Sequence, residues 1–185
     1  MLNIFKNLNK EAEDYMEFYD DLEKAYSIAK EAHKGQLRDE GTPYITHIDG
    51  VIDILKNELG FNVDTMLAVA ALHDVLEDSK YTYEDLEKSM GKTITKAVKV
   101  LTKEKGHDFG EYMKNIAENE NGSWTLIVKL ADRLHNLRNL KLTKNPEKIK
   151  RKCEETKKYI LDYAKSNNYI YNEMLKSLNE LERLY

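Results

Sequence analysis

Apolar residues recur at helical spacing along almost the whole chain, and each run stops at a residue that ends helices. Leu22, Ala25, Ala29 and Ala32 continue a stripe that starts with Tyr15 and Phe18. They predict a first helix over residues 11–33, with Gly35 placed for a left-handed cap. Residues 36–45 hold Gly41 and Pro43 and read as a loop. Thr46 is placed to cap a second helix through Val51, Ile54 and Leu55, which Gly60 closes. After Asp64, residues 65–76 are apolar on nearly every side, the mark of a central, buried helix.

Further on, Thr82 and Asp85 form a capping-box pattern before a short helix that ends near Gly91. A helix is predicted over 93–102, then a charged loop over 103–110, then a helix over 111–119. Ser123 is placed to cap a long apolar helix from 124 to about 140. Asn145-Pro146-Glu147 is a strong helix start. From there two amphipathic helices are predicted, broken near residues 166–168. Strand patterns are weak throughout, so the expected fold is all-α.

Composition narrows the class. A chain of 185 residues suits one domain with one core. Lys+Arg is 29 against Asp+Glu 33, a mixed balance with net charge −4 that does not suggest a nucleic-acid coat. The single cysteine, Cys153, cannot form an intramolecular disulfide and points to a reducing interior, so a cytoplasmic protein is expected. No stretch approaches 18 uncharged apolar residues, and residues 1–10 hold no signal-like run. No membrane, DNA or RNA partner is expected.

The two most apolar helices carry polar groups that a plain core would exclude. His73, Asp74, Glu77 and Asp78 follow an apolar run, and on a regular helix they crowd one turn. Three carboxylates beside an imidazole repel and desolvate one another unless a cation joins them. The alternative is that Glu77 and Asp78 face water. Asp132 interrupts a second apolar run, with Asn136 one turn on. It needs a metal, or an ion pair with Lys129, Arg133 or Arg138. His47, His73, Asp74 and Asp132 together suit a six-coordinate Mn²⁺, Fe²⁺ or Zn²⁺ site. No glycine-rich phosphate loop and no Ser or Cys nucleophile elbow is present.

Four motifs then stand in order. They are Ala32-His33-Lys34-Gly35-Gln36-Leu37-Arg38, Gly41-Thr42-Pro43-Tyr44-Ile45-Thr46-His47, Ala70-Ala71-Leu72-His73-Asp74-Val75-Leu76-Glu77-Asp78 and Lys129-Leu130-Ala131-Asp132-Arg133-Leu134-His135-Asn136-Leu137-Arg138. Over residues 26–140 the chain resembles the hydrolase domain of RelA/SpoT homologues, a branch of the HD-domain metal phosphohydrolases. The resemblance implies a helical bundle of about eight to ten helices and a single hydrolase domain over 1–185, with C-terminal helices from 145. It places the metal ligands on His47, His73, Asp74 and Asp132 and implies Mn²⁺. It places the catalytic acidic pair on Glu77 and Asp78, a guanine-stacking arginine on Arg38 and a nucleotide-contacting asparagine on Asn136. The implied activity removes the 3′-diphosphate of ppGpp and pppGpp. The length matches a small stand-alone alarmone hydrolase, and a homo-oligomer is compatible with the C-terminal helices.

The pattern departs from the family at three places. Asp39 replaces the basic residue after the motif arginine, Ile48 replaces the proline after His47, and Asn139 stands where long members carry threonine. Asp39 or Glu40 is placed to pair with Arg38. His33 and His135 read as structural histidines, and His107 as exposed. Lys34, Lys129, Arg133 and Arg138 are candidates for the diphosphate or for ion pairs. Two other readings stay open: a metal phosphohydrolase of another nucleotide (an adenine alarmone or a 2′-phosphorylated dinucleotide), and a non-catalytic alarmone-binding protein.

Overall fold

The structure is a computed structural model that describes residues 21–120 and 122–185. Its elements are α1 (Asp21–Ala32), α2 (Ile45–Asp53), α3 (Asp64–Leu72), α4 (Val75–Asp78), α5 (Tyr83–Leu101), α6 (Phe109–Glu118), α7 (Gly122–Leu140), α8 (Pro146–Tyr159), α9 (Leu161–Ala164) and α10 (Asn168–Leu181). Among the described residues there is no strand, only an isolated bridge between Leu37 and Pro43. The all-α expectation holds. Tyr15 and Phe18, expected to start the first stripe, lie outside the described residues.

α3 is the central rod. Every residue from Met66 to Leu72 is buried, as a helix apolar on all sides requires. α1 packs along it through Ala25 and Ala29, whose small side chains allow close approach. α7 crosses the same core and meets α2, α3, α6 and α10. The C-terminal helices complete the packing: Ile149, Cys153, Ile160, Ile170, Met174 and Leu178 are all buried.

Local chemistry explains most boundaries. Gly35 (φ 77°) and Gly60 (φ 74°) take the left-handed conformation expected at the ends of the first two helices. Thr82 and Asp85 form the reciprocal capping box. Gly91 (φ 75°, ψ 172°) breaks α5 in two, as its sequence position predicts. Asn145 caps α8 by accepting from the Lys148 amide at 3.0 Å, ahead of Pro146.

Four expectations fail. Ser123 does not cap α7 but lies inside its first turn, because the helix already begins at Gly122. The first of the two predicted C-terminal helices is broken again at Ile160 (φ −119°, ψ −38°) into α8 and α9. Thr46 does not cap α2; Tyr44 occupies that place, and the Thr46 hydroxyl donates instead to the Pro43 carbonyl at 2.7 Å. The helix predicted over 65–76 stops at Leu72, turns through His73 and Asp74 (φ −104°, ψ −3°), and resumes as the single turn of α4. No helix among the described residues is long and apolar enough to cross a membrane.

Candidate metal centre and its cavity

The break after α3 builds the site. Neighbouring residues on a regular helix point about 100° apart, so His73 and Asp74 could not both face one point from an unbroken helix. The turn brings the Asp74 Oδ2 atom within 2.9 Å of His73 Nε2. His47, from the first turn of α2, enters from the side, with its Nε2 3.2 Å from His73 Nε2. Asp132, from the middle of α7, places Oδ1 3.3 Å from His47 Nε2 and 3.8 Å from His73 Nε2. All four residues predicted as ligands therefore converge. The ligand atoms of His47, His73 and Asp132 lie within 4.8 Å of one another, and all three residues are buried.

The partners of these groups decide what fits between them. His73 Nδ1 donates to the Ala70 carbonyl at 2.7 Å, which leaves a lone pair on Nε2. His47 Nδ1 lies 2.9 Å from His135 Nδ1. Burial first, and then the neighbouring His47 and Arg38, lower the His135 pKa to about 4, so its ring is neutral; in the tautomer with a bare Nδ1 it accepts from His47 Nδ1–H and leaves a lone pair on His47 Nε2. Two imidazole lone pairs and two carboxylate oxygens then face one another. Positive charge satisfies that arrangement, either a proton taken up by His73 or a metal ion between the donors, and the N/O donor set suits a divalent transition metal. The electrostatics express the same demand for positive charge, which a proton on His73 Nε2 meets until an ion displaces it. Burial acts to lower the His73 pKa, yet Asp74 and Asp132 outweigh it and raise the value to about 10. Burial likewise acts against ionising Asp132, and the Lys129 ammonium beside it reverses this and holds the carboxyl well below its ordinary value.

A second layer fixes the donors. Asp132 accepts from Lys129 Nζ at 2.9 Å and from Asn136 Nδ2 at 2.5 Å. The Tyr44 hydroxyl donates to Asp74 and lies 3.3 Å from Asp78 Oδ2. His33 stacks on Tyr44, with ring centroids 4.3 Å apart, and its Nδ1 meets Gln36 at 2.7 Å. His33 and His135 are thus structural histidines, as expected. Asn139 donates to the His135 carbonyl at 2.9 Å.

Three of the four predicted ligands, His47, Asp74 and Asp132, line a cavity of about 470 Å³, with His73 buried behind them. Glu77 and Asp78 line it on the α4 side. The Glu77 carboxylate accepts from the Lys103 amide at 3.0 Å. Burial raises the pKa of both, helped at each by the nearby Asp74 charge. Arg38 also lines the cavity and is braced twice: Nε donates to Glu40 at 2.8 Å and Nη2 to Asn136 Oδ1 at 2.9 Å. Arg38, Asn136, Asp132 and the histidines of the candidate metal site therefore form one connected chain of contacts.

The four basic candidates separate clearly. Lys129 is committed to Asp132. Arg133 lines the cavity but donates to Glu155 at 2.6 Å. Arg138 points away and pairs with Glu58 at 2.7 Å and Glu173 at 2.7 Å. Lys34 is exposed beside Glu31 and does not line the cavity. Sequence reasoning missed Tyr44, whose role needs the loop fold. It also missed Lys148 and Lys152 of α8, which line the cavity; their only signal was an excess of lysine on an amphipathic helix.

Comparison with known proteins places this arrangement. Residues 25–121 match the family model described as an HD domain. The chain is 40% identical over 141 residues to a GTP pyrophosphokinase of Streptomyces coelicolor, covering 73% of this chain and 16% of that protein. It is 36% identical over 163 residues to the bifunctional (p)ppGpp synthase/hydrolase SpoT of Escherichia coli, covering 83% of this chain and 23% of that protein. The chain thus spans less than a quarter of these curated relatives. Among solved structures it resembles a metazoan SpoT orthologue described as hydrolysing ppGpp. The TM-score is 0.74 at 27% identity, over 86% of this chain and 94% of that one. With the His73-Asp74 doublet at the centre of its site and the family model matched over more than half its length, the chain belongs to the HD-domain family, with RelA/SpoT proteins among its relatives.

Proposed function

We propose that the chain hydrolyses the 3′-diphosphate of ppGpp and pppGpp, yielding GDP or GTP and pyrophosphate. The observation that carries this reading is the convergence of His47, His73, Asp74 and Asp132 at a cavity that is also lined by the Glu77–Asp78 carboxyl pair and a braced arginine, Arg38. The metazoan relative described as hydrolysing ppGpp supports it, because this chain covers almost all of that chain.

In the reaction water adds to the phosphorus attached to the 3′ oxygen. The bond from that phosphorus to the 3′ oxygen breaks, water gives up a proton and the 3′ oxygen gains one. His47, His73, Asp74 and Asp132 would hold a divalent ion, Mn²⁺ in this proposal, which would supply Lewis acidity toward a phosphoryl oxygen and make water more acidic. Glu77 and Asp78 order the attacking water and hold or pass its proton. Burial has moved both carboxyls toward the range where they exchange protons more readily near neutrality. Tyr44 keeps Asp78 beside Asp74. Lys129 offsets the negative charge of Asp132. Arg38 offers a planar cation on which a purine stacks, and Asn136 holds that arginine in place.

The test is product analysis of ppGpp incubated with the protein and Mn²⁺. GDP and pyrophosphate in equal amounts are expected. Bound nucleotide without turnover at saturating metal would mark a binding protein. Faster turnover of an adenine alarmone or a 2′-phosphorylated dinucleotide would move the substrate class.

A further inference from the structure

The segment after α1 is a tight hairpin. The Arg38 amide donates to the Thr42 carbonyl at 2.9 Å, the Gly41 amide to the Arg38 carbonyl at 2.9 Å, and the Tyr44 amide to the Gln36 carbonyl at 3.0 Å. Gly41 (φ 86°) supplies the left-handed residue that the corner needs. Asp39 and Glu40 form the tip and diverge. Glu40 folds back onto Arg38. Asp39 reaches outward and pairs with Lys148 in the first turn of α8, a residue 109 positions along the chain. Both Asp39 and Lys148 line the cavity. Their positions are fixed from behind, one by the hairpin and the other by the Asn145 cap and the buried Ile149.

A partly exposed ion pair contributes little to stability, so its worth lies in what it presents. Lys148 Nζ contacts Oδ2 of Asp39. A carboxylate has two oxygens and an ammonium three N–H donors. The pair can therefore offer a further acceptor beside a further donor, next to the arginine proposed to stack on the base. We propose that Asp39 and Lys148 read the edge of the purine, the carboxylate accepting from N1–H and the 2-amino group of guanine and the ammonium donating to O6. Adenine presents an amino donor where guanine has O6 and a bare N1 where guanine has N1–H, and it lacks the 2-amino group. Hypoxanthine keeps O6 and N1–H but lacks the 2-amino group. The inference rests on the proposed function for the placement of the base against Arg38. It gives the departure at Asp39 a purpose: the loop loses a cation but gains a reader of guanine.

Two measurements test it. The first is equilibrium binding of GDP, IDP and ADP to the wild-type protein and to Asp39→Asn and Lys148→Met. The wild type should hold GDP tighter than IDP and ADP by about tenfold or more, the scale of a hydrogen bond to a charged group. Asp39→Asn should bring GDP and IDP to within about twofold, and Lys148→Met should weaken both by a similar factor. The second is kcat/KM on the 3′-diphosphates of guanosine and inosine nucleotides, where the same compression should appear in KM. If the wild type binds GDP no better than ADP, or if Asp39→Asn keeps the full preference for GDP over IDP, the assignment is overturned, even with ppGpp still hydrolysed. If ppGpp is not hydrolysed but Asp39→Asn abolishes the preference for GDP, the functional reading fails and the base reader stands.

Discussion

His47 and His73 face each other Nε2 to Nε2 at 3.2 Å, each with its Nδ1 already engaged, one against His135 and the other on the Ala70 carbonyl. Neutral rings cannot satisfy that contact alone, and the carboxylates of Asp74 and Asp132 close it from two other elements. Removing one donor should therefore cost the metal and the chemistry together. His73→Ala and Asp74→Asn are expected to lose Mn²⁺ binding by calorimetry and ppGpp hydrolysis alike. Wild-type protein at 100 times the dissociation constant should gain about 2.7 kcal/mol, or about 5–10 °C in Tm for a chain of this size. Neither variant should show that rise. A variant that keeps the rise keeps a metal site that does not use the altered residue.

Gly50 lies where α2 passes closest to His135. A Cβ there would sit 2.1 Å from both Cδ2 and Nε2 of the imidazole ring. Alanine is the better helix former by about 1 kcal/mol, but overpacking of this kind costs about 1–3 kcal/mol and displaces the ring that holds His47. Gly50→Ala should therefore lower Tm and weaken Mn²⁺ binding together. An unchanged metal titration would show that His135 does not position His47.

The sequence carried the candidate metal site in a legible form because its cost is local. Asp132 interrupts an apolar run and His73-Asp74 follows one, and such placements demand a partner. The turn at Asp74 was not legible: residues 65–76 hold no glycine or proline, and an apolar run reads as one unbroken helix. The break exists because two adjacent side chains must serve one point, a tertiary requirement that local propensity does not register. Gly50 was silent for a similar reason, since its neighbour His135 lies 85 positions away in sequence. For Arg38 the sequence offered Asp39 or Glu40 as charge partner without choosing between them, and the structure takes Glu40; the contact with Asn136, which needs the hairpin and α7 side by side, had no local signal.

Glu77→Gln and Asp78→Asn separate chemistry from metal binding. Each keeps shape while removing the carboxylate, and positioned proton transfer contributes about 10²–10⁴-fold. At least one variant should lose turnover on that scale while Mn²⁺ still raises its Tm. Normal turnover in both would move the proton-transfer role to another group.

Arg138 belongs to stability rather than catalysis. It makes two contacts with Glu58, at 2.7 and 3.0 Å, and one with Glu173, away from the cavity. The Glu58 pKa lies below its ordinary 4.5, chiefly through the Arg138 hydrogen bonds. A depressed carboxyl adds stability above its unfolded pKa and loses it as pH falls through the folded value. Arg138→Met should thus cost about 1 kcal/mol at pH 7, a modest figure because the pair is partly solvent-screened. The difference from wild type should shrink below about pH 4. KM for ppGpp should not move; a rise would return Arg138 to the list of phosphate contacts.

Arg38 carries the heaviest burden in the proposed substrate site. An arginine that merely closed the hairpin would be replaceable with little effect on the nucleotide. Its two braces argue otherwise: Glu40 holds Nε and Asn136 holds Nη2, so the guanidinium plane is fixed at the cavity wall before any ligand arrives. Stacking of a base on a planar cation contributes about 0.5–2 kcal/mol, roughly 2- to 30-fold in affinity. Arg38→Ala should raise KM by that factor. It should also lower Tm slightly, because Asn136 Oδ1 and Glu40 lose a partner. Arg38→Lys separates the two effects: the ammonium can still meet Glu40, so stability recovers, but it has no plane to stack and cannot span to Asn136 as the guanidinium does. KM should therefore stay raised in the lysine variant while Tm returns toward wild type. If KM instead recovers with Tm, charge alone serves the nucleotide and the base does not stack on Arg38.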